Sequence, residues 1–281
     1  MTGTITPIGV GTAILHDKQS TAGAPLNPFV DPGDTNAPIV FEPAAALTGG
    51  AVEVWIIASG GADWGGCQVW ISTDGSAYGL AGTIYRGARQ GVLTARLPAA
   101  ADPDTADTLA VDLTQSQGQL LSGTQADADA YVMLSFCGGE LVSYETATLT
   151  ATYKYNLTYL RRGAYGTAIG AHSAGAQFAR FGPNDPSLFR YTYPASFVGQ
   201  AVYIKLPGFN IFGQALQGLA GLSATSYTLL GTGGASVDVI AALALGVAQD
   251  WGSIATSIAA QADLASITAV VGYDINLGTL V

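Results

Sequence analysis

Short stretches of alternating apolar and polar residues, separated by turn residues, recur along this chain from about residue 52 onwards. In the run CQVWIS, residues 67–72, the odd-numbered residues fall on one face of a strand and the even-numbered residues on the other. The pair Asp74-Gly75 follows, and a glycine there supplies the positive φ that tight hairpins need. Similar runs are found at 91–97, 108–113, 129–136, 140–151, 153–160, 201–207 and 226–231. This spacing predicts a mainly β fold, a sandwich or a barrel.

The two ends of the chain differ from this pattern. Residues 1–48 contain six of the 12 prolines, and each proline removes a backbone donor and favours an extended residue before it. We therefore expect an extended Pro-rich arm at 1–48. Residues 235–281 are rich in Ala and Ile and contain two similar segments, QDWGSIATSI and QADLASITAV. Repeats that cannot bury an apolar face alone usually pack on copies of themselves, so this segment is predicted to be an oligomerisation tail. The β-sandwich domain is expected at 49–192 and a short β segment at 193–234.

The composition restricts the partners. Charged residues make up 11% of the 281 residues and hydrophobic residues 49%, and the net charge is −10. A surface with so little charge suits an extracellular or assembly protein. The scattered cations form no stripe that would neutralise phosphates, so a nucleic acid is not an expected partner. The first residues lack the basic start and apolar run of a signal peptide. The most apolar segment, 239–248, is about half the ~20 residues that span a bilayer, so no transmembrane segment is expected.

Few residues are placed to perform catalysis. A glycosidase needs two carboxylates beside one cleft, and Glu140 and Glu145 are five residues apart, which puts them on opposite faces of one strand. His16 and His172 lie in segments with no nucleophile elbow and are interpreted as solvated loop residues. No phosphate-binding glycine motif occurs, and the pair at 161–162, two arginines, is expected to bind aspartates. No cofactor is predicted.

The sequence offers few residues for a metal site or a disulfide. Two histidines and two cysteines do not supply the spacing or number of ligands that a structural zinc needs. The segment 126–130 resembles a calcium loop only superficially, because it lacks the required glycine and terminal glutamate, and it is predicted to be a solvated turn. Cys67 and Cys137 are either two buried thiols, which we favour, or one disulfide if their strands pair.

One stretch, DWGGCQVWISTDGSAYGLAGTI at residues 63–84, carries a more specific resemblance together with the segments that follow it. RQGVLTARLP, DTLAVDL, LLSGTQADADA, GGELVSYETATL and YNLTYLRRGAYGT appear after it in that order. NPFVDPGDTNAPIVFEPAAAL precedes it, and VYIKLPGFNIFGQALQGLA and YTLLGTG come later. The chain thus resembles, over roughly residues 27–232, the C-terminal β-rich region of phage tail-tip hub proteins. These are the host-specificity, or tip attachment, proteins and the related large baseplate protein of gene transfer agents.

The resemblance implies a non-enzymatic structural part of a tail tip or baseplate. Such a part is arranged around a threefold axis, as a homotrimer, and holds or becomes the central fibre that meets the host surface. Its partners would be other tail-tip proteins and a host cell-surface receptor. Its location would be the virion, after synthesis in the host cytoplasm and release by lysis. Family members are usually longer, so this chain is either a separately encoded module or an excerpt.

Two other functions are weighed against the structural one. A carbohydrate-binding module would use strand aromatics to stack on sugars, with Trp64, Trp70 and Tyr78 as the candidate glycan or partner contacts; Trp55 and Tyr85 belong to the same set. Aromatics in strands are more often core residues. A sialidase-like hydrolase is suggested only by the Asp-box-like turn around Asp74, and a hairpin explains that turn without catalysis.

Overall fold

The computed structural model describes residues 27–182 and 185–232. The chain divides into two units, Met1–Gly234 and Ala235–Val281, and all the described residues belong to the first. The first 26 residues of the predicted arm, with His16, and the predicted tail at 235–281 lie outside the described residues. In the described part, no helix is long and apolar enough to cross a membrane.

The described residues form a mainly β protein, as predicted. The two helices are α1 (Ala45–Thr48) and α2 (Gln125–Asp129), and 3₁₀ turns occur at Ala164–Gly166, Ala195–Phe197 and Leu219–Gly221. In chain order the strands are β1 (Ile39–Phe41), β2 (Glu53–Ile57), β3 (Trp64–Ser72), β4 (Gly79–Ile84), β5 (Arg89–Leu93), β6 (Leu109–Asp112), β7 (Ser135–Cys137), β8 (Glu140–Ala151), β9 (Lys154–Arg161), β10 (Gln177–Arg180), β11 (Leu188–Thr192), β12 (Ala201–Lys205), β13 (Gly208–Asn210) and β14 (Thr225–Thr228).

Six consecutive strands close into a barrel. The order around it is β10-β5-β6-β9-β8-β7, and every neighbouring pair is antiparallel. Alternate residues of these strands point inward and fill the barrel with aliphatic and aromatic side chains, so the interior is a packed core. The buried members of that core include Leu93, Leu109, Val111, Val142, Tyr144, Leu157 and Phe178.

Two further sheets are assembled from the chain on either side of the barrel. One has the order β1-β2-β11; the other has the order β13-β3-β12-β14, with β4 paired to the free side of β3. Strands before the barrel pair with strands after it, so the barrel is inserted into a sandwich. The expected divisions at residues 49 and 193 do not coincide with this arrangement, because long-range pairing joins 39–84 with 188–228.

Strand β2 is buried on both faces. Val54 and Ile56 face the core shared with the five-stranded sheet, whereas Trp55 and Ile57 pack in a second core with barrel residues such as Phe136. The alternation expected from about residue 52 onwards therefore does not hold in β2. A strand covered by layers on both sides needs a continuous apolar run, and VWII is such a run.

The hairpin prediction around Asp74 is confirmed, since β3 and β4 pair in antiparallel register. Gly75 has φ +74°, a conformation that glycine adopts readily, in a six-residue connection at 73–78 that is longer than the predicted tight turn. The Asp74 carboxylate accepts hydrogen bonds from the backbone N–H groups of Ser76 and Ala77 and from the Ser72 hydroxyl. These bonds, led by the one from Ala77, hold the pKa of Asp74 well below its usual range. The aspartate of the Asp-box-like sequence therefore stabilises the turn.

The segment expected to be a solvated turn at 126–130 is mostly helix α2. Thr124 caps its N-terminus, where its hydroxyl accepts from the Asp127 N–H at 3.1 Å. The Asp127 carboxylate reaches back to the Thr124 N–H at 2.8 Å. This reciprocal capping satisfies donors that a short helix would otherwise leave free, and it explains why an acidic segment forms a helix.

Residues 27–38, the described start of the predicted arm, are hydrogen-bonded to the same chain. The Asn210 side-chain amide donates to the carbonyls of Pro28 and Val30. The backbone N–H of Asn36 donates to the carbonyl of Ser59, and the Thr35 hydroxyl donates to Leu206. This part of the extended segment therefore lies on its own fold, and β1 continues it as a sheet strand.

Gly91, in β5, is a position where the barrel tolerates no side chain. A Cβ there would lie 2.0 Å from the backbone oxygen of Asp112 in the neighbouring strand. We predict that Gly91→Ala lowers the free energy of unfolding by about 2 kcal/mol or more, because a backbone group must move to relieve the overlap. Urea unfolding followed by tryptophan fluorescence measures this loss. The control is Gly61→Ala, where a Cβ meets nothing within 4 Å; equal midpoints for the two variants would contradict the packing described.

Candidate functional site

The first of the predicted contact residues, Trp64, is unavailable to a ligand. Its side chain is buried in the sandwich core, and its indole N–H donates to the Thr35 hydroxyl at 3.0 Å. Trp55 is likewise fully buried. The prediction that Trp64 contacts a glycan or partner is wrong, because β13 and the segment at 27–38 cover this end of β3.

Trp70 and Tyr78 lie on the outward side of the five-stranded sheet. Neighbours of Trp70 in the strand, Val69 and Ile71, belong to the core, so Trp70 points away from it. Its indole N–H donates to the Gln68 side chain at 2.9 Å. The Lys205 ammonium lies 4.8 Å from the centre of the Tyr78 ring, a cation–π distance. We call this surface the outer face; it comprises Gln68, Trp70, Tyr78, Leu80, Tyr203 and Lys205.

The outer face and its border carry exposed apolar side chains. Leu80 stands opposite Trp70 across the strand pair and is 53% exposed. Further along, Tyr85 is 74% exposed, and its ring lies 6.1 Å from that of Phe209. Contiguous exposed apolar side chains of this kind usually mark interaction surfaces.

Strand β4 borders the outer face and forms an open edge. Within the described residues it pairs only with β3. Its sequence, GLAGTI, has no charge and no proline, and its first three residues are exposed. Edge strands are usually protected by lysines, prolines or bulges. A register shift opposite Val69–Trp70 is present, but the strand otherwise offers backbone groups for pairing with another chain.

The largest cluster of charged side chains is a different feature, buried at one end of the barrel. Arg162, just after β9, donates through Nε and Nη2 to the two oxygens of Glu140, at 2.7 and 2.9 Å. Its Nη1 donates to Asp104 and to the carbonyl of Pro98, and Nη2 also donates to the carbonyl of Gly170. All five N–H donors of the guanidinium can therefore be satisfied.

Glu140 is saturated in the same way. Besides Arg162, its oxygens accept from the backbone N–H groups of Gly163 and Gly170, and the Nε2 of His172 lies 2.8 Å from Oε2. Burial raises the pKa of Glu140, but the hydrogen bonds from Arg162, His172 and the two amides outweigh it, so that the pKa lies below its usual value.

This cluster corrects one interpretation and supports another. His172 is buried beside Glu140, so the interpretation as a solvated loop residue is wrong; a backbone bridge between Leu97 and His172 draws the loop inward. The expected pairing of the two arginines with aspartates is confirmed. Arg161 binds Asp102 and Asp129 at 2.8 Å each, and Arg162 binds Asp104 at 3.2 Å as well as Glu140.

The cluster has the composition of a catalytic site but not its chemistry. Both Glu140 oxygens are occupied by donors, and the side chain is inaccessible, so no substrate reaches it. The nearby thiol of Cys137 has a pKa raised to about 12, chiefly by burial, and a protonated thiol is a poor nucleophile. The arrangement is that of a structural ion pair.

The two cysteines are free and buried in different cores. Cys67 belongs to the sandwich core and Cys137 to the barrel core, so their strands do not pair and the structure does not bring the thiols together. Burial raises the pKa of Cys67 to about 12 as well. In residues 27–182 and 185–232, no three His, Cys, Asp or Glu side chains are grouped so that they could hold a metal ion.

Comparison with known proteins gives one partial match. Residues 88–179 match the family described as "Rcc01698-like, C-terminal". The matched segment coincides with the barrel, beginning just before β5 and ending within β10, and it covers about a third of the chain. No curated protein matches the sequence.

Replacing Glu140 tests the buried cluster. We predict that Glu140→Gln lowers the free energy of unfolding at pH 7 by about 3 kcal/mol, because it leaves Arg162 buried with an incomplete set of charged partners. The folded-state pKa of Glu140 is depressed. Its stabilisation is therefore complete above the unfolded value of about 4.3 and is lost as the pH falls through the folded value.

The difference between wild type and Glu140→Gln should accordingly shrink below about pH 4. Urea unfolding between pH 7 and pH 2.5 measures it. The matched control is Glu145→Gln, which changes the same group on the same strand where it is half-buried and has no salt bridge within the described residues. A Glu140→Gln effect no larger than that of the control would show that the ion pair does not stabilise the barrel.

Proposed function

We propose that this protein is a structural component of the tail tip or baseplate of a phage or gene transfer agent, where it forms or anchors the central fibre. The ordered sequence resemblance over residues 27–232 is the reason for proposing a phage or gene transfer agent as the particle. The structural observation that carries the assembly role is the uncharged open edge of β4 beside the apolar outer face.

These two features suit a permanent interface. A strand from a neighbouring subunit can add to β4 through main-chain hydrogen bonds, which give affinity without requiring charged side chains. Trp70 and Leu80 then lie beside the added strand, and burying their exposed area supplies hydrophobic stabilisation of about 25 cal/mol per Å². A chain with 11% charged residues is suited to such burial. We infer a homotrimer that also contacts other tail-tip proteins.

An enzymatic role is not proposed. The carboxylate that most resembles a catalytic group, Glu140, is engaged by Arg162, and Asp74 stabilises a turn. In the described part of the chain no second accessible carboxylate stands opposite either of them as glycoside hydrolysis would require.

The alternative function is carbohydrate binding in receptor recognition. It is favoured by one observation: Trp70 and Tyr78 lie together on an outward sheet face, with Lys205 over the tyrosine ring. Aromatic rings on a rigid sheet form a platform on which sugar rings stack. Saturable binding of host polysaccharide by the unassembled chain would distinguish this function from a purely structural one.

The location is tested by immunogold electron microscopy, with antibody to this chain, on particles released from its source. Label at the distal end of the tail is expected. Label along the tail, on the head or nowhere would overturn the proposal and leave the free carbohydrate-binding function to be tested.

The interface is tested by placing a charge at its centre. We predict that Leu80→Lys abolishes incorporation into particles while leaving the fold intact, because an exposed lysine beside an edge strand opposes strand addition. Immunoblots of purified particles, after complementation of a deletion strain, measure incorporation. The control is Leu149→Lys, which introduces the same charge at a 61% exposed leucine on the barrel. Normal incorporation of Leu80→Lys would exclude the outer face and β4 from the interface.

A further inference from the structure

Three arginines converge on one cavity beside the barrel. The cavity has a volume of about 520 Å³, and Arg86, Arg89 and Arg180 line it. The remaining lining is mostly polar and includes the side chains of Ser116, Gln117, Gln119 and Ser187. The only carboxylate in the lining is that of Asp185. The cavity is therefore locally cationic in a chain whose net charge is −10.

Two of these arginines face each other across a strand pair. Arg180 of β10 is the register partner of Arg89 of β5, and like charges at directly opposed positions destabilise a sheet. Asp185 offsets this only in part, since its carboxylate is 3.9 Å from Arg89. Arg180 donates to the carbonyl of Val132 at 3.3 Å, but within the described residues it has no carboxylate partner. An anion between the two guanidinium groups would remove the repulsion.

The two arginines at the end of the barrel are neutralised far more completely than those at the cavity. Arg161 and Arg162 each bind two carboxylates, as expected where Asp and Glu outnumber Lys and Arg by 20 to 10. Arg86, Arg89 and Arg180 together share one distant carboxylate in the described part of the chain. Arg96 also has no carboxylate partner among the described residues, but it is exposed to solvent. Arg89 and Arg180 differ from it because they meet at one cavity, where a single anion can contact both.

The loop that closes one side of the cavity is held in a fixed conformation. Gln117 has φ +53°, a conformation that costs energy for a residue with a side chain. The Ser116 hydroxyl ties the loop to β5, since it donates to the carbonyl of Gln90 at 2.6 Å and accepts from the Gln90 N–H. Gly118 packs so closely that a Cβ would lie 2.9 Å from the Cα of Arg89. The Gln117 position is thus fixed before any ligand arrives.

A buried hydroxyl adjoins the same arginines. A smaller cavity of about 80 Å³ shares Arg89, Leu121 and Arg180 with the larger one and is also lined by Tyr144. Tyr144 is fully buried, and its hydroxyl makes no hydrogen bond of good geometry among the described residues, although the Arg180 guanidinium lies close enough to interact with it. A buried polar group without a partner is costly and is typical of a site that a ligand completes. Burial raises the pKa of Tyr144 to about 12, against the opposing effect of Arg180 and Arg89, so the phenol is protonated and can donate.

We propose that this cavity binds an anionic sugar, whose phosphate or carboxylate lies between Arg89 and Arg180 and accepts from the Tyr144 hydroxyl. The volume is that of a small-molecule site, and the side-chain amides of Gln117 and Gln119 suit sugar hydroxyls. No aromatic ring lines the larger cavity, so recognition depends on charge and hydrogen bonds. The proposal does not depend on the tail-tip location, and it concerns a different surface from the outer face.

The test is a titration of the full-length chain followed by NMR of the arginine Nε–H groups. The probes are glucose 1-phosphate, glucuronic acid, glucose and inorganic phosphate. The concentration of each is raised to about 30 times the dissociation constant, which is expected to be millimolar for so small a ligand. We expect both anionic sugars to shift the resonances of Arg89 and Arg180 and to bind at least fivefold more tightly than inorganic phosphate. Glucose should shift neither resonance.

Three variants assign the binding to this cavity. Arg89→Gln and Arg180→Gln should each weaken binding about tenfold or more, the loss expected for a charged hydrogen bond. Neither should lower the melting temperature, because each removes one of two opposed like charges. Tyr144→Phe should weaken binding severalfold, again with no loss of thermal stability. The control is Arg96→Gln, the same change of charge at an exposed arginine outside both cavities.

Each other result overturns a stated part of the proposal. Binding of inorganic phosphate as tight as that of the sugars would make the cavity a simple anion site, and equal binding of glucose would exclude a role for charge. Unchanged binding by Tyr144→Phe would remove the phenol from the site. No shift with any probe, or losses in Arg96→Gln equal to those in Arg180→Gln, would overturn the site altogether. None of these outcomes bears on the immunogold test of the tail-tip location.

Discussion

The ion pair between Arg162 and Glu140 organises one end of the barrel. Glu140 begins β8 and Arg162 follows the end of β9, so the pair joins the two longest strands of the barrel at the end where their loops begin. The same guanidinium holds the carbonyls of Pro98 and Gly170. One side chain therefore positions two strand ends and two connecting loops. Burying this charge is favourable only because every donor and acceptor is satisfied, which makes the cluster sensitive to the loss of any member.

The barrel that this cluster closes is an insertion in a second, layered structure. The chain first forms β1 to β4 and then the barrel. After the barrel, β11 joins the three-stranded sheet of β1 and β2, and β12 to β14 join the five-stranded sheet of β3 and β4. Strand β2 is the junction, because its two faces contribute to two different cores. The family match covers the barrel alone, in agreement with a unit formed from one continuous segment. The sheets around it require both flanking segments and cannot form from either one.

Local patterns in the sequence were sufficient for part of this description. Alternation and the Asp74-Gly75 pair predicted the β3–β4 hairpin, because register and turn chemistry are encoded within some twenty residues. The position of Trp64 was beyond such reasoning, since the residue that receives its indole N–H, Thr35, lies 29 positions earlier. The double burial of β2 was missed for the same reason: a strand's second face is covered by elements that only the tertiary fold supplies.

The candidate sites differ in how far sequence could predict them. Strand periodicity placed Trp70 opposite the core residues, and the structure agrees. The prediction that Trp70 and Tyr78 contact a glycan or a partner stays a prediction, because it depends on molecules outside this chain. The opposed pair of Arg89 and Arg180 was not foreseen, since the two residues are 91 positions apart and become register partners only when β10 closes the barrel against β5. The distribution of ion pairs in the structure does distinguish these arginines. In a chain with twice as many acids as bases, the two arginines at 161 and 162 take four carboxylate contacts, while those around the cavity share one.

This unequal distribution of charge connects the structural and binding roles. Cations that stabilise the fold are buried or saturated by carboxylates, as Arg162 and Arg161 are. Arg86 and Arg180 have no such partner in the described part of the chain and line the cavity, whereas Arg96 is exposed elsewhere and Lys205 lies on the outer face against an aromatic ring. The proposed assembly through an apolar surface would need little exposed charge. The arginines beside the fixed loop and the buried Tyr144 phenol therefore fit the proposed ligand site better than a general role in solubility.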